Sequence, residues 1–335
     1  MTTNSPLVTI GLPVYNSERY LEQSLRSLLA QTYPDFLLII SDNASTDGTA
    51  AICRKYADAD SRIKYFRNET NIGNPRNFNR IAELTTTKYL KWSTADDFWK
   101  PDFLALALDV MERDSTIALC YPEAMIVDAS GGNATPYDDV LHLVQEDPAD
   151  RFLALVRTIK LAHQHLGLIR MSDLRQTHLL GSHVGSDINL LAELTLYGKF
   201  FELPHRLFFR RMHQDSGSWK RGDRDHEARR YHASGLRSTP MTKWPKHLFF
   251  ARAVARSPLP RRSKLRISRL LLRQMIWDRY NLMDEVVDRA RSIIRPALHR
   301  AGAWAVGRRA SATLLGGMAL LVGLRRKDGN RTSRR

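Results

Sequence analysis

The sequence predicts an α/β fold: a largely parallel sheet with helices on both faces, followed by a basic helical extension. Three observations predict it. Short apolar runs alternate with stretches of helical apolar spacing, the runs end in polar loops, and positive charge gathers in the last third of the chain. In such sheets ligands bind beyond the carboxyl ends of the strands, so those loops are where chemistry is to be sought.

The elements follow in order. Leu7 to Leu12 is an apolar run ended by Pro13, and Ser17 can cap a helix carrying Leu21, Leu25, Leu28 and Leu29 at helical spacing. Phe36 to Ile40 repeats the pattern and runs into Ser41-Asp42-Asn43-Ala44-Ser45-Thr46-Asp47-Gly48-Thr49, followed by helical spacing through Ile52 and Tyr56. Ile63 to Phe66 reads as a third strand and Asn77 to Leu84 as a helix. Tyr89 to Trp92 reads as a fourth strand that opens onto Ser93-Thr94-Ala95-Asp96-Asp97. After Pro101 a helix is expected to about Glu112, then strands around Ile117 to Tyr121 and Met125 to Asp128, and a Gly131-Gly132 loop from Ala129 to Asp139 suited to a lid. Asp187 to Tyr197 has helical spacing with Gly198 as its end, and Phe200 to Arg210 reads as extended.

At 335 residues, 43% hydrophobic and 26% charged, the chain can bury a sizeable core. Its net charge of +16 is unevenly placed, because residues 1–215 carry 22 Lys/Arg against 27 Asp/Glu while residues 216–335 carry 29 against 8. The expected division is therefore a domain over 1–222, in halves of about 6–100 and about 101–222, and a basic extension over 223–335 with a loose end. Such an extension suits nucleic acid, anionic lipid or an acidic polymer, or is a solvated face, and charge alone does not choose. Cys53 and Cys120 sit in apolar stretches, which points to a reducing compartment rather than a disulfide framework or a thiolate metal site. Met1 to Pro6 has no charged n-region, so no secretory signal is expected and the location is read as cytoplasmic, with room for contact at the inner face of the membrane. The uncharged run Ala310 to Leu324, between arginines, falls short of the ~20 residues that span a bilayer and suits a helix in the headgroup region or docked on the protein.

Two loops carry acids. Asp96-Asp97 at a strand end offers a divalent cation one or two carboxylates, the remaining ligands coming from substrate phosphates; a helix cap near Pro101 is the alternative. Asp42 can accept hydrogen bonds from a base or ribose at the sheet edge, or serve turn chemistry.

Taken in order at strand ends, Pro13-Val14-Tyr15-Asn16, the Ser41 to Thr49 block, Asn71-Ile72-Gly73 with Arg76-Asn77, and Asp96-Asp97 resemble the family 2 glycosyltransferases over about residues 6–216. The resemblance implies the GT-A nucleotide-diphospho-sugar transferase fold. It implies inverting, metal-dependent transfer of a sugar from a nucleoside diphosphate donor, a UDP-sugar favoured, to a glycan or lipid-linked hydroxyl in cell-envelope polysaccharide or glycolipid synthesis. It also implies that Asp42 contacts the base, that Pro13, Val14, Tyr15 and Asn16 line its pocket, and that Asn77, Thr94, Ala95 and Asp96 bind the donor nucleotide. Asp96 stands at the last position of the Asp-any-Asp metal motif, with Asp97 the following acid; Thr94 replaces the first Asp, and its hydroxyl can bond ribose or a metal-bound water. Gly185-Ser186-Asp187, before Leu190, Leu191 and Gly198, is similar to the motif that opens a helix and supplies the catalytic base, a role this gives to Asp187; an N-cap is its structural alternative.

Phe208 to Ser216 resembles the segment that closes the donor site, with His213 on a Mn or Mg ion and Arg210 and Arg211 on phosphate. His163 and His165 either touch the acceptor or pack in the core. Trp244, Phe249, Phe250, Trp277 and Trp304 among the cations of the extension lead to an expectation of peripheral attachment to an anionic membrane, without nucleic acid. The alternative is an inactive GT-A-like domain, Thr94 its first symptom, whose basic tail binds membrane or nucleic acid. A nucleotidyltransferase would need a Gly-rich phosphate loop that Gly11-Leu12-Pro13 does not supply.

Overall fold

In the computed structural model, which describes residues 6–138, 141–214, 216 and 243–300, nine strands form one curled, mixed sheet flanked by helices. The expected division near residue 222 and the Ala310 to Leu324 run lie outside the described residues.

The first half folds as the sequence predicts. Strands β1 (Val8–Val14), β2 (Phe36–Asp42), β3 (Ile63–Arg67) and β4 (Tyr89–Trp92) are all parallel, in spatial order β3-β2-β1-β4. They are joined by α1 (Glu18–Leu29), α2 (Thr49–Ala59) and α3 (Asn74–Leu84). Every residue of β1 is buried, which explains a continuous apolar run in place of alternation. Gly11 lets α3 approach that strand, since a Cβ there would lie 2.3 Å from Ile81 Cγ2. Lys91 is buried in β4 with its Nζ 3.5 Å from the Trp99 ring centroid, and burial drives its pKa far below the usual lysine range.

The second half departs from the expected parallel order. It comprises β5 (Phe98–Trp99), α4 (Phe103–Arg113), β6 (Ile117–Val127), β7 (Thr135–Tyr137), α5 (Pro148–Thr158), a 3-10 turn over His163–Leu166, β8 (Leu168–Arg170), α6 (Met171–Leu174), α7 (Ser186–Leu194) and β9 (Lys199–Arg211). Strand β8 runs antiparallel between β4 and β6, and β5 is antiparallel to β9, so the sheet is parallel over β1 to β4 and mixed beyond them. Strands of two or three residues show no periodicity, which is why the sequence concealed them. Where two strands were expected, β6 is one; Pro122 cannot donate to the ladder, and register shifts around Pro122 and Glu123 absorb it. The expected lid is in part a hairpin, in which Asp128 accepts the Ser130 and Gly132 N–H groups and β7 returns along β6.

The extension contributes α8 (Lys243–Arg256), α9 (Arg261–Trp277) and α10 (Arg279–Arg300). Helix α8 joins the core beside α5 and α7: Phe250 is fully buried edge-on to Phe152, and the Asn189 amide of α7 donates to the Lys246 carbonyl at 3.1 Å. Helix α9 is tied to the start of α5 by Arg266, which pairs with Asp147 and Asp150. No helix among the described residues is long and apolar enough to cross a membrane.

Candidate active site

Because β1 lies between β2 and β4, the loops leaving their carboxyl ends meet at one sheet edge. Pro13 and Val14 are buried there, while Tyr15 is 47% exposed and Asn16 takes a left-handed φ of 47°. That turn stitches two loops together: the Asn16 N–H donates to Ser45 Oγ at 3.0 Å, Asn16 Oδ1 accepts the Thr46 N–H at 2.8 Å, and the Ser17 N–H donates to Thr49 Oγ1 at 2.7 Å.

Asp42 at the end of β2 is wholly buried. Its Oδ1 accepts the Ser45 N–H (2.8 Å), and its Oδ2 accepts the Tyr65 hydroxyl (2.7 Å) and Arg67 Nη1 (2.9 Å). Burial, then the bond to Asp42, pushes the Tyr65 phenol up to about 12. A carboxylate has about four acceptor positions, so one on Oδ1 is left unfilled by these bonds. Asn77 is buried behind this loop with its amide spent on the protein: Oδ1 accepts from Ser41 Oγ and Asn68, and Nδ2 donates to the Ser41 carbonyl. Its amide thereby holds Ser41, the residue before Asp42.

At the end of β4 the two acids part. Asp97 is buried; its oxygens accept the Thr94 hydroxyl and, at 2.8 Å, the Arg211 backbone N–H. Burial, with the neighbouring Asp96 charge, raises its pKa against the opposing charge of Arg210. Thr94 thus braces Asp97, Ser24 Oγ holds the Thr94 carbonyl, and Ala95 is buried beside them. The Asp96 side chain keeps 38% exposure and lies 3.3 Å from His213 Nε2, an ion-pair separation whose angles do not make a hydrogen bond. His213 is buried, and neither ring nitrogen has a hydrogen-bond partner.

Arg211 joins these pieces. Its Nε donates to the Asp96 carbonyl (2.9 Å), Nη1 to the Ala129 carbonyl (3.0 Å) and Nη2 to Gln23, while its guanidinium sits 4.6 Å over the Tyr20 ring. With those hydrogens spent, Arg211 braces the acidic loop. Arg210 acts electrostatically on both Asp97 and His163.

Further along the chain, Gly185 takes φ 80° and opens α7, with Asp187 half-buried in the first turn and its Oδ1 accepting the Ile188 N–H. His183, buried, pairs with Asn189 Oδ1 at 3.0 Å. Buried Glu193 accepts both the N–H and Nδ1 of His178, and Asn79 of α3 bonds the Leu180 backbone through both its amide atoms. The loop before Asp187 is thereby anchored to both halves. His163 packs between Tyr137 and Phe208, its Nδ1 unpartnered, and His165 lies against Phe78.

Tyr65, Arg67, Tyr20 and Gln23 were not read from the sequence as site residues. Alternation in β3 puts Ile63, Tyr65 and Arg67 on one face, and the register pairs Arg67 with Asp42, a signal visible only once β3 is laid beside β2.

The profile described as Glycosyl transferase family 2 matches residues 9–169. TuaG of Bacillus subtilis (strain 168), named for teichuronic acid biosynthesis as a glycosyltransferase, is 31% identical over 180 residues, covering 52% of this chain and 69% of the relative. Other curated relatives are matched over less than half of their own length, such as an uncharacterized glycosyltransferase of Haemophilus influenzae, 38% identical over 114 residues and 46% of its length. The structure of S. aureus TarS 1-349 in complex with UDP superposes with a TM-score of 0.60 at 15% identity, covering 88% of this chain and 87% of that one. The mannosyltransferase PcManGT of Pyrobaculum calidifontis, in complex with GDP-Man and Mn2+, gives 0.51 at 20% identity over 96% of this chain and 81% of its own. These two likenesses are of fold.

Proposed function

The chain belongs to glycosyl transferase family 2, with the GT-A fold, and from that premise we propose an inverting, metal-dependent transferase that moves a sugar from a nucleoside diphosphate to an acceptor hydroxyl. The observation that carries the proposal is the meeting of half-exposed Asp96 with buried, unpartnered His213 at the same sheet edge as the Asp42 loop.

The residues fit a divalent cation. A carboxylate and an imidazole nitrogen lie 3.3 Å apart, and both ring nitrogens lack a hydrogen bond that would otherwise occupy them. Among the described residues no cluster of three ligating side chains exists, so a cation here would need its other ligands from substrate phosphates. When bound, such an ion spreads the negative charge that develops on the departing diphosphate. Asp96 and His213 would hold it, Asp97 and Arg211 fix the loop that presents Asp96, and Arg210 adds positive charge toward the leaving group. Asp42, with Pro13, Val14, Tyr15 and Asn16, receives the base through its remaining acceptor position. Asp187 takes the proton of the acceptor hydroxyl as its oxygen attacks the anomeric carbon, so configuration inverts in one displacement.

TarS is solved with UDP and PcManGT with GDP-Man, and a UDP-sugar is preferred here on the TarS likeness, which has the higher TM-score. The name of TuaG also motivates a cell-envelope glycan or lipid-linked acceptor. Contact with an anionic membrane through the extension is part of this reading. Leu265, Leu272 and Ile276 line one exposed stripe of α9, flanked by Arg269 and Arg273.

The test is nucleoside diphosphate release from UDP-, GDP- and dTDP-sugars with Mn or Mg, with and without envelope extract as acceptor. Parent protein should release one diphosphate in a metal-dependent way, and Asp96→Asn and Asp187→Asn should each lower the rate on the order of 100-fold or more. Release undiminished by Asp96→Asn would remove the metal reading. A folded parent with neither release nor donor binding would favour the inactive-domain alternative.

A further inference from the structure

We propose that the Tyr20 hydroxyl, with Ser216 of the His213 turn, grips phosphate oxygens of the donor diphosphate at the Asp96 and His213 end of the site; this rests on the nucleotide-sugar reading above. Tyr20 lies in the first turns of α1, its ring 4.9 Å from the His213 ring and beneath the Arg211 guanidinium. Its Oη is closed off from water and has no hydrogen-bond partner. The same holds for both His213 nitrogens and for Ser216 Oγ, and the Ser216 N–H donates to the His213 carbonyl at 3.0 Å. His213 and Ser216 are each only 8% exposed.

Four buried polar atoms, from segments nearly two hundred residues apart in sequence, thus lack a hydrogen bond, His213 Nε2 having only its 3.3 Å ion-pair separation from Asp96. Proteins leave few such atoms unmatched, because burying a donor without an acceptor forfeits its bonds to water. A cluster of them beside an accessible carboxylate is what remains when a ligand supplies the partners. The donor set selects the ligand. Hydroxyls and an imidazole N–H donate to oxyanions, and Asp96 demands a cation. Cation and oxyanion together describe metal-bound phosphate oxygens.

The experiment titrates full-length protein calorimetrically with inorganic pyrophosphate plus Mn and with UDP plus Mn, for parent, Tyr20→Phe and Ser216→Ala, and records the melting temperature of each without ligand. Tyr20→Phe keeps the ring and removes the unmatched hydroxyl. It should weaken both ligands about tenfold while the unliganded melting temperature holds or rises, and Ser216→Ala should act in the same direction. Unchanged pyrophosphate affinity in Tyr20→Phe overturns the proposal. So does a lowered unliganded melting temperature with unchanged affinity, which marks a structural hydroxyl. Tight pyrophosphate binding by the parent, lost in Tyr20→Phe, supports the grip even where no sugar nucleotide is cleaved, an outcome that would sink only the transferase reading.

Discussion

Asp96 and Asp97 are neighbours in sequence and opposites in environment. Asp97 turns inward to Thr94 and the Arg211 N–H, whereas Asp96 keeps an exposed edge beside His213. Thr94, standing where the family has its first acid, therefore acts as a strut for the second, which gives the departure a structural role compatible with an active site. Burial also sets a pH response at His163, whose pKa is pushed down to about 3 by burial first and then by the charges of Arg210 and His165. The unfolded imidazole titrates near 6.5, so the folded state binds fewer protons below that value. The stability His163 contributes is complete above about pH 6.5 and is lost as pH falls toward about 3, by up to about 1.4 kcal/mol per pH unit. His183 and His247, lowered by burial, act in the same sense; Asp97, Asp173 and Glu193, raised by burial, act in the opposite one. Urea melts at pH 7 and pH 5 should show a smaller loss of stability in His163→Phe than in the parent, and equal losses would assign the acid sensitivity elsewhere.

At the scale of elements, α7 is the piece most constrained by its neighbours. Its start is set by Gly185 in the left-handed region, its flank by the Glu193 and His178 pair, and its back by Phe250 and the Lys246 carbonyl of α8. A Cβ at Gly185 would meet nothing within 4 Å, so Gly185→Ala carries only the backbone cost of a positive φ, about 1 kcal/mol. Chemical denaturation should register that loss; an unchanged midpoint would mean that α7 opens without the left-handed turn. Element β3 shows the converse dependence, because its Tyr65 and Arg67 act only through register with Asp42.

For the whole molecule, the basic extension combines two faces. One, through Phe250, Ala253, Val254, Ile267 and Leu271, joins the buried core of the sheet domain. The other exposes Leu265, Leu272, Ile276, Met283 and Trp277, the last 84% exposed, among arginines. A surface of this kind gains from anionic headgroups at low salt and loses that gain as charges are screened. Co-sedimentation with vesicles containing phosphatidylglycerol should be strong at low ionic strength, weak at about 0.5 M salt, and reduced in Trp277→Ala; a protein left in the supernatant at low salt would end the membrane reading.

The parallel half and its acids were legible in sequence because local rules suffice there. Periodicity marks β1, β2 and β4, and a polar loop after a buried strand places Asp42 and Asp96 at the ligand edge whatever the rest of the chain does. The roles of individual side chains were not legible, since they depend on which strands and loops become neighbours. Only the tertiary structure turned Asn77 and Arg211 into braces, set Arg67 on Asp42, split Asp96 from Asp97 by burial, and brought Tyr20 of the first helix to His213 at the far end of the sheet. The physical reason is that periodicity reports which face of an element is apolar, while hydrogen bonds and desolvation at a site are fixed by contacts between residues far apart in the chain.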